Sequence, residues 1–129
     1  MRLLLDTTVL IDALRGRTSA ERLRGLRDAA QIPWICAVNA EEVMRGAYPG
    51  EEAETLRFLY GLHLAPLGRP ECERAGRWRR EYARRGVTLS QADCLIAAAA
   101  IGVDARLATG NPKHFPMPEL TVEHWPAGA

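Results

Sequence analysis

The sequence predicts an α/β protein, a three-layer α/β/α sandwich around a central parallel sheet of four to five strands. Three observations carry that prediction. The chain opens on an unbroken apolar run, Leu3 to Leu5, that stops at Asp6, the pattern of a strand buried on both faces. Apolar, β-rich segments then alternate with segments of helical periodicity, and nearly every connection is short, as in parallel β-α units. A helix starting at Ser90 is apolar nearly all round through Ile101, so it belongs buried against the sheet. No repeat, low-complexity segment or linker interrupts residues 1–129, which read as a single domain.

The elements follow in order. After the first strand, Val9, Leu10, Ala13 and Leu14 give a short amphipathic helix that Gly16 ends. A second helix spans Ser19 to Ala30, with Leu23, Leu26 and Ala30 on one face and Arg22, Arg24 and Arg27 turned to solvent. Pro33 to Val38 reads as the second strand, and Asn39 as the polar start of a third helix that runs to Ala47 and is broken by Gly46 and the Tyr48-Pro49-Gly50 turn. A fourth helix, Glu51 to Gly61, carries Leu56, Leu59 and Tyr60 inward. His63 to Leu67 is a brief strand. Pro70 opens a long helix as its first residue, with Cys72, Ala75, Trp78 and Tyr82 on the apolar side. Its other side sets Arg74, Arg77, Arg84 and Arg85 around Glu81, a face that suits RNA phosphates and equally an ordinary solvated helix surface. Ala105 to Thr109 is the fourth strand and Leu120 to Glu123 the fifth.

Composition narrows the class. A hydrophobic share of 47% with 26% charged residues is that of an ordinary globular protein. A net charge of +1 gives no global field toward nucleic acid. The basic side chains are Arg at every position but Lys113, which suits phosphate recognition and equally reflects an Arg-rich, Lys-poor composition. Cys36, Cys72 and Cys94 are odd in number and widely spaced, against a disulfide framework or a zinc site. No apolar run reaches membrane-spanning length, so the expected location is the cytoplasm.

The chemistry gathers at strand ends. Asp6 ends the first strand, Asn39-Ala-Glu-Glu42 opens one helix and Ser90-Gln-Ala-Asp93 another. The last two are also capping-box signatures, N-x-x-E and S-x-x-D, and Asp6 is equally a simple cap of the next helix, so a purely structural reading stands beside the functional one. Taken together they differ from isolated caps, because successive right-handed β-α units start their helices at one sheet edge and so bring Asp6, Glu42 and Asp93 together. Such carboxylates repel unless a positive charge lies between them, and oxygen ligands favour Mg²⁺ or Mn²⁺, which serves to activate water against phosphodiesters. Thr109, Asn111 and His114 follow the fourth strand at the same edge, where Gly110-Asn111-Pro112 also reads as a plain tight turn. Glu41 is the alternative to Glu42 if the register shifts by one residue.

At these residues the chain resembles the PIN-domain family, and within it the VapC-type toxins of bacterial toxin–antitoxin pairs. The likeness rests on Leu5-Asp-Thr-Thr-Val-Leu-Ile-Asp12, Glu42-Val-Met-Arg-Gly46, Gln91-Ala-Asp-Cys-Leu-Ile-Ala-Ala98 and Thr109-Gly-Asn-Pro-Lys-His-Phe115, in order along nearly the whole chain. The resemblance implies a Mg²⁺- or Mn²⁺-dependent endoribonuclease that cleaves structured RNA, tRNA or rRNA, and stops translation. It implies metal-binding roles for Asp6, Glu42 and Asp93, supporting roles for Thr7 and Thr109, and a homodimer silenced by a VapB-type antitoxin. The antitoxin would lie in an apolar groove near Met44, Leu56, Phe58 and Tyr60. The family often has a further acid at the place of Asn111 or His114, and neither is acidic here. Asn111 is therefore expected to act in the site as a neutral ligand or water holder, and His114 to donate a proton or contact phosphate. Arg15, Arg45 and Arg106 are expected to position the RNA backbone.

Other readings use the same acids. One is a catalytically silent PIN-like module that binds RNA or protein; another is a DNA-directed nuclease, for which a basic clamp is missing. A phosphoacceptor receiver also carries an Asp after its first strand. A haloacid-dehalogenase-like phosphatase needs a second acid two residues on, where this chain has Thr8.

Overall fold

The computed structural model describes residues 2–128. Five strands, β1 (Arg2–Leu5), β2 (Trp34–Ile35), β3 (His63–Leu64), β4 (Ala105–Thr109) and β5 (Val122–His124), form one wholly parallel sheet in the order β3-β2-β1-β4-β5. Six helices cover it: α1 (Thr7–Leu14), α2 (Thr18–Asp28), α3 (Ala37–Arg45), α4 (Glu52–Tyr60), α5 (Arg69–Arg84) and α6 (Gln91–Gly102).

The central strand shows why three layers form. Successive side chains of a strand point to opposite faces. Leu4 joins a core with Trp78 and Tyr82 of α5 and Ile96 of α6, while Leu3 and Leu5 join the other core with Leu10 of α1, Val43 of α3 and Leu59 of α4. Full burial of a leucine side chain contributes about 1.5–3 kcal/mol, so these three residues tie both layers to the sheet. In α6 every residue from Ile96 to Ala100 is buried, and the run of alanines lets α5 and the sheet approach it closely. Among the described residues no helix is long and apolar enough to cross a membrane.

Several local expectations are corrected. The second strand is only Trp34–Ile35; Ala37 and Val38 enter α3, whose N-cap is Cys36. Asn39 is thus the third helical residue rather than the cap, and the expected Asn39–Glu42 capping box does not form. Its Oδ1 instead accepts the Cys36 backbone N–H at 2.9 Å. The third strand is shorter than His63 to Leu67, and the fifth sits later than Leu120 to Glu123. Pro70 is the second residue of α5, and Cys72 is exposed, because the buried stripe runs through Ala75, Trp78 and Tyr82. Tyr60 at the end of α4 is 85% exposed, so Leu59 alone of that pair packs inward. Gly16, at φ +69°, ends the first helix in the left-handed conformation that glycine adopts without strain.

Candidate active site

Asp6 ends β1 at the carboxyl edge and opens α1, its carbonyl accepting the N–H groups of Val9 and Leu10. The residue is 5% exposed, and its carboxylate is held by two hydroxyls. Thr109 Oγ1 at the end of β4 donates to Oδ2 at 2.7 Å, and Thr8 Oγ1 donates to the same oxygen at 3.2 Å. Each hydroxyl is itself oriented by a backbone N–H of the loop after β4: Asn111 donates to Thr109 Oγ1 and Gly110 to Thr8 Oγ1, both at 3.0 Å. A side chain on Gly110 would press on Thr8 Oγ1 at 3.3 Å, so glycine allows the loop to approach the first turn of α1.

Asp93 in the first turn of α6 is the second acid. Ser90 Oγ accepts its backbone N–H at 3.0 Å, the predicted cap. Burial raises the Asp6 carboxyl above its ordinary range, with the charge of Asp93 adding to the rise and the bonds from Thr109, the Thr7 backbone and Thr8 opposing it. Glu42, one turn into α3, points to the same edge: Thr7 Oγ1 donates to its Oε1 at 2.7 Å. Glu41 turns to solvent and pairs with Arg45 at 2.7 Å, so the register places Glu42, and not its neighbour, toward Asp6. The negative charges of Glu42 and Asp6 both bear on the thiol of Cys36. Burial, aided by those charges, raises that thiol, and burial pushes Cys94 up to about 11; neither cysteine is a poised nucleophile.

The remaining expected residues divide. Asn111 is exposed and enters the network through its backbone N–H. His114 lies in the short 3-10 turn Pro112–His114 with Nδ1 3.6 Å from Asp93 Oδ2, beyond hydrogen-bond distance but beside the acid. The three arginines are engaged elsewhere. Arg45 clamps Glu41; Arg106, the second residue of β4, pairs with Glu123 at 3.2 Å; and Arg15, beyond the far end of α1, stacks over Tyr48 at 5.7 Å. Two further participants are Thr8, to which the sequence reading gave no site role, and Asn39, which it read as a helix cap. Their signal was a second hydroxyl beside a strand-end aspartate, and an amide four residues beyond the strand end.

Among the described residues no three His, Cys, Asp or Glu side chains gather closely enough to hold a metal ion by themselves. The donor set nevertheless fits a hard cation. It consists of oxygen ligands, Asp6 and Asp93 repel one another, and Mg²⁺ is commonly bound through one or two carboxylates with waters completing its shell.

The site defines a class: a parallel α/β domain with buried and half-buried carboxylates at the carboxyl edge of its central strands. The chain matches the PIN domain family over residues 3–117. It is 36% identical over 116 residues to a protein named ribonuclease VapC10 of Mycobacterium tuberculosis, covering 89% of this chain and 86% of the relative. It is 33% identical over 120 residues to ribonuclease VapC19 of the same organism, covering 91% and 95%. Among solved structures it resembles a chain of VapBC2 from Rickettsia felis bound to a promoter DNA fragment, with 26% identity, a TM-score of 0.82 and coverage of 97% of this chain and 99% of that one. The chain belongs to the PIN domain family, in its VapC-type group.

Proposed function

We propose that this protein is a Mg²⁺- or Mn²⁺-dependent endoribonuclease, the toxin of a toxin–antitoxin pair, and that it cuts structured RNA, tRNA or rRNA, in the cytoplasm to inhibit translation. The observation that carries the reading is the strand-end carboxylate Asp6, buried, held by hydroxyls from the start of α1 and the end of β4, and within reach of the charge of Asp93. Relatives named ribonucleases over nearly the full chain support it.

Asp6 and Asp93 would hold the ion, with Glu42 completing the acidic wall. When bound, the ion supplies positive charge against the phosphodiester oxygens and acidifies water for attack. Thr109 and Thr8 keep the Asp6 carboxylate in one orientation. Thr7 does the same for Glu42. His114, beside Asp93 and exposed, is placed to contact a phosphate or donate a proton to the leaving oxygen. Attack by water leaves a 5′-phosphate and a 3′-hydroxyl.

A VapB-type antitoxin and a homodimer complete the proposal. Met44, Leu56 and Phe58 are half-buried and Tyr60 is open, so an apolar surface is available to a partner. A cleft of about 520 Å³ between Ile11, Leu14, Val43, Tyr48 and Phe58 adjoins it. Structures of toxin–antitoxin complexes with this fold support that partner.

The test is incubation of purified, antitoxin-free protein with total bacterial RNA, in Mg²⁺, Mn²⁺ or EDTA, with Asp6→Asn and Asp93→Asn alongside. Discrete metal-dependent cuts with 5′-phosphate ends, lost in both variants, are expected. Ends bearing 2′,3′-cyclic phosphate would transfer the attack to the ribose hydroxyl. Two features favour one alternative, a catalytically silent binding module: among the described residues no three-acid cluster gathers, and positions 111 and 114 carry Asn and His rather than an acid. RNA left whole under both metals by folded protein would favour that module over the nuclease.

A further inference from the structure

One polar side chain is sealed at the acidic edge without touching a carboxylate. Asn39 is 0% exposed, and both ends of its amide are used. Its Oδ1 accepts the Cys36 backbone N–H at 2.9 Å, and its Nδ2 donates to Thr7 Oγ1 at 3.1 Å. Thr7 Oγ1 donates in turn to Glu42 Oε1 at 2.7 Å. Chemistry fixes the direction at both ends. A backbone N–H can only donate, so it requires the amide oxygen. An ionised carboxylate can only accept, so the single Thr7 proton goes to Glu42. That leaves a Thr7 lone pair, which the amide N–H fills. Aspartate has the same shape and would keep the bond to Cys36, but, ionised, it offers Thr7 no donor. The Thr7 proton would then be contested by two carboxylates.

We propose that Asn39 is a positioning residue for the acidic site: through Thr7 it commits a hydroxyl proton to Glu42 and so sets which oxygen of that carboxylate is left for a divalent ion. The inference rests on the metal-site reading above. Glu42 sits on a long side chain with several rotatable bonds, and ordering such a side chain costs about 1.5–2 kcal/mol in rotamer entropy. The relay prepays that ordering by linking Glu42 to the rigid junction of β2 and α3. Asn39 itself is fully buried and its bond to Cys36 is closed off from solvent, so the constraint persists without substrate.

The experiment is calorimetric titration of Mn²⁺ into RNA-free protein, for wild type, Asn39→Asp, Thr7→Val and the double variant, with kcat and KM on a cleaved RNA and melting curves to verify the fold. Partners of metal ligands typically contribute 10–100-fold in affinity, so Asn39→Asp is expected to weaken Mn²⁺ binding about tenfold and lower kcat with little change in KM. In the Thr7→Val background the same substitution should change affinity less than about twofold, the mark of action through one shared group. Asn39→Ala, which drops both bonds without adding charge, is read beside it should the aspartate variant not fold, and the same loss is expected. Unchanged Mn²⁺ affinity and kcat in a folded variant would reduce Asn39 to a helix cap and overturn the proposal. So would an undiminished loss in the Thr7→Val background. A wild type that binds Mn²⁺ without cutting RNA sinks the nuclease reading and leaves the relay to be judged on affinity alone; a wild type that binds no Mn²⁺ sinks both.

Discussion

Thr109→Val tests the frame that holds Asp6. Valine nearly matches threonine in shape, and Thr109 is fully buried, so the change removes one hydroxyl and little else. That hydroxyl donates to Asp6 Oδ2 at 2.7 Å and accepts the Asn111 N–H at 3.0 Å. A hydrogen bond to a charged group contributes about 1.5–3 kcal/mol, and the Asn111 N–H at the exposed loop can recover water, so a net loss of about 2 kcal/mol is expected at pH 7. With an unfolding entropy of about 2.1 cal/mol/K per residue, a domain of this length loses about 7 °C in melting temperature. The deficit should shrink in acid, where Asp6 is protonated and a neutral bond of about 1 kcal/mol is all that can be lost. The assay is thermal unfolding followed by circular dichroism in EDTA, at neutral and acidic pH. A melting temperature unchanged at pH 7 would show that Thr109 does not hold the ionised carboxylate, and the argument for Asp6 as a fixed ligand would fail with it.

Asp6→Asn should raise the melting temperature of metal-free protein at pH 7. Burial, then Asp93, raises the folded-state carboxyl above its unfolded value, so the native state binds more protons in that window and stability falls as pH rises through it. The advantage of the variant should disappear near the ordinary aspartate range, about pH 4; an advantage that persists there, or a lower melting temperature at pH 7, contradicts the assignment. Asp12 behaves in the opposite sense. Burial opposes its charge, but the backbone N–H groups of Gly128 and Ser19, both at 2.9 Å, hold it below the ordinary range. Its contribution is present above the unfolded pKa and is lost as pH falls through the folded one, so Asp12→Ala should cost about 3 kcal/mol at pH 7 and less in strong acid, read by urea unfolding. Glu42→Gln should lower RNA cleavage about 10–100-fold while Glu41→Gln leaves it near wild type, since partners and ligands of a metal carry effects of that size and Glu41 faces solvent. Equal losses in the two variants would mean that the register of α3 has been misread.

Local sequence was enough for much of this molecule. The apolar run ending at Asp6, the strand Ala105–Thr109, the helix behind Ser90 and the left-handed Gly16 all follow from patterns within a few residues, where steric and hydrogen-bonding preferences act on neighbours. The family could be recognised because its acids sit at such element ends. Tertiary structure decided what no local pattern contains. The order β3-β2-β1-β4-β5 makes β4 the neighbour of β1, and only that pairing carries Thr109 to Asp6 across the length of the chain. The start of α3 turned on whether Ala37 and Val38 extend a strand or enter a helix, a choice close in local energy that packing settles. That choice carried Asn39 into the interior and Glu42 toward the acids. Arg106 illustrates the same limit: its charge is visible in the sequence, but its pairing with Glu123 depends on the register of β4 against β5. Periodicity determines which face of an element a residue occupies, whereas its partner depends on which distant element covers that face.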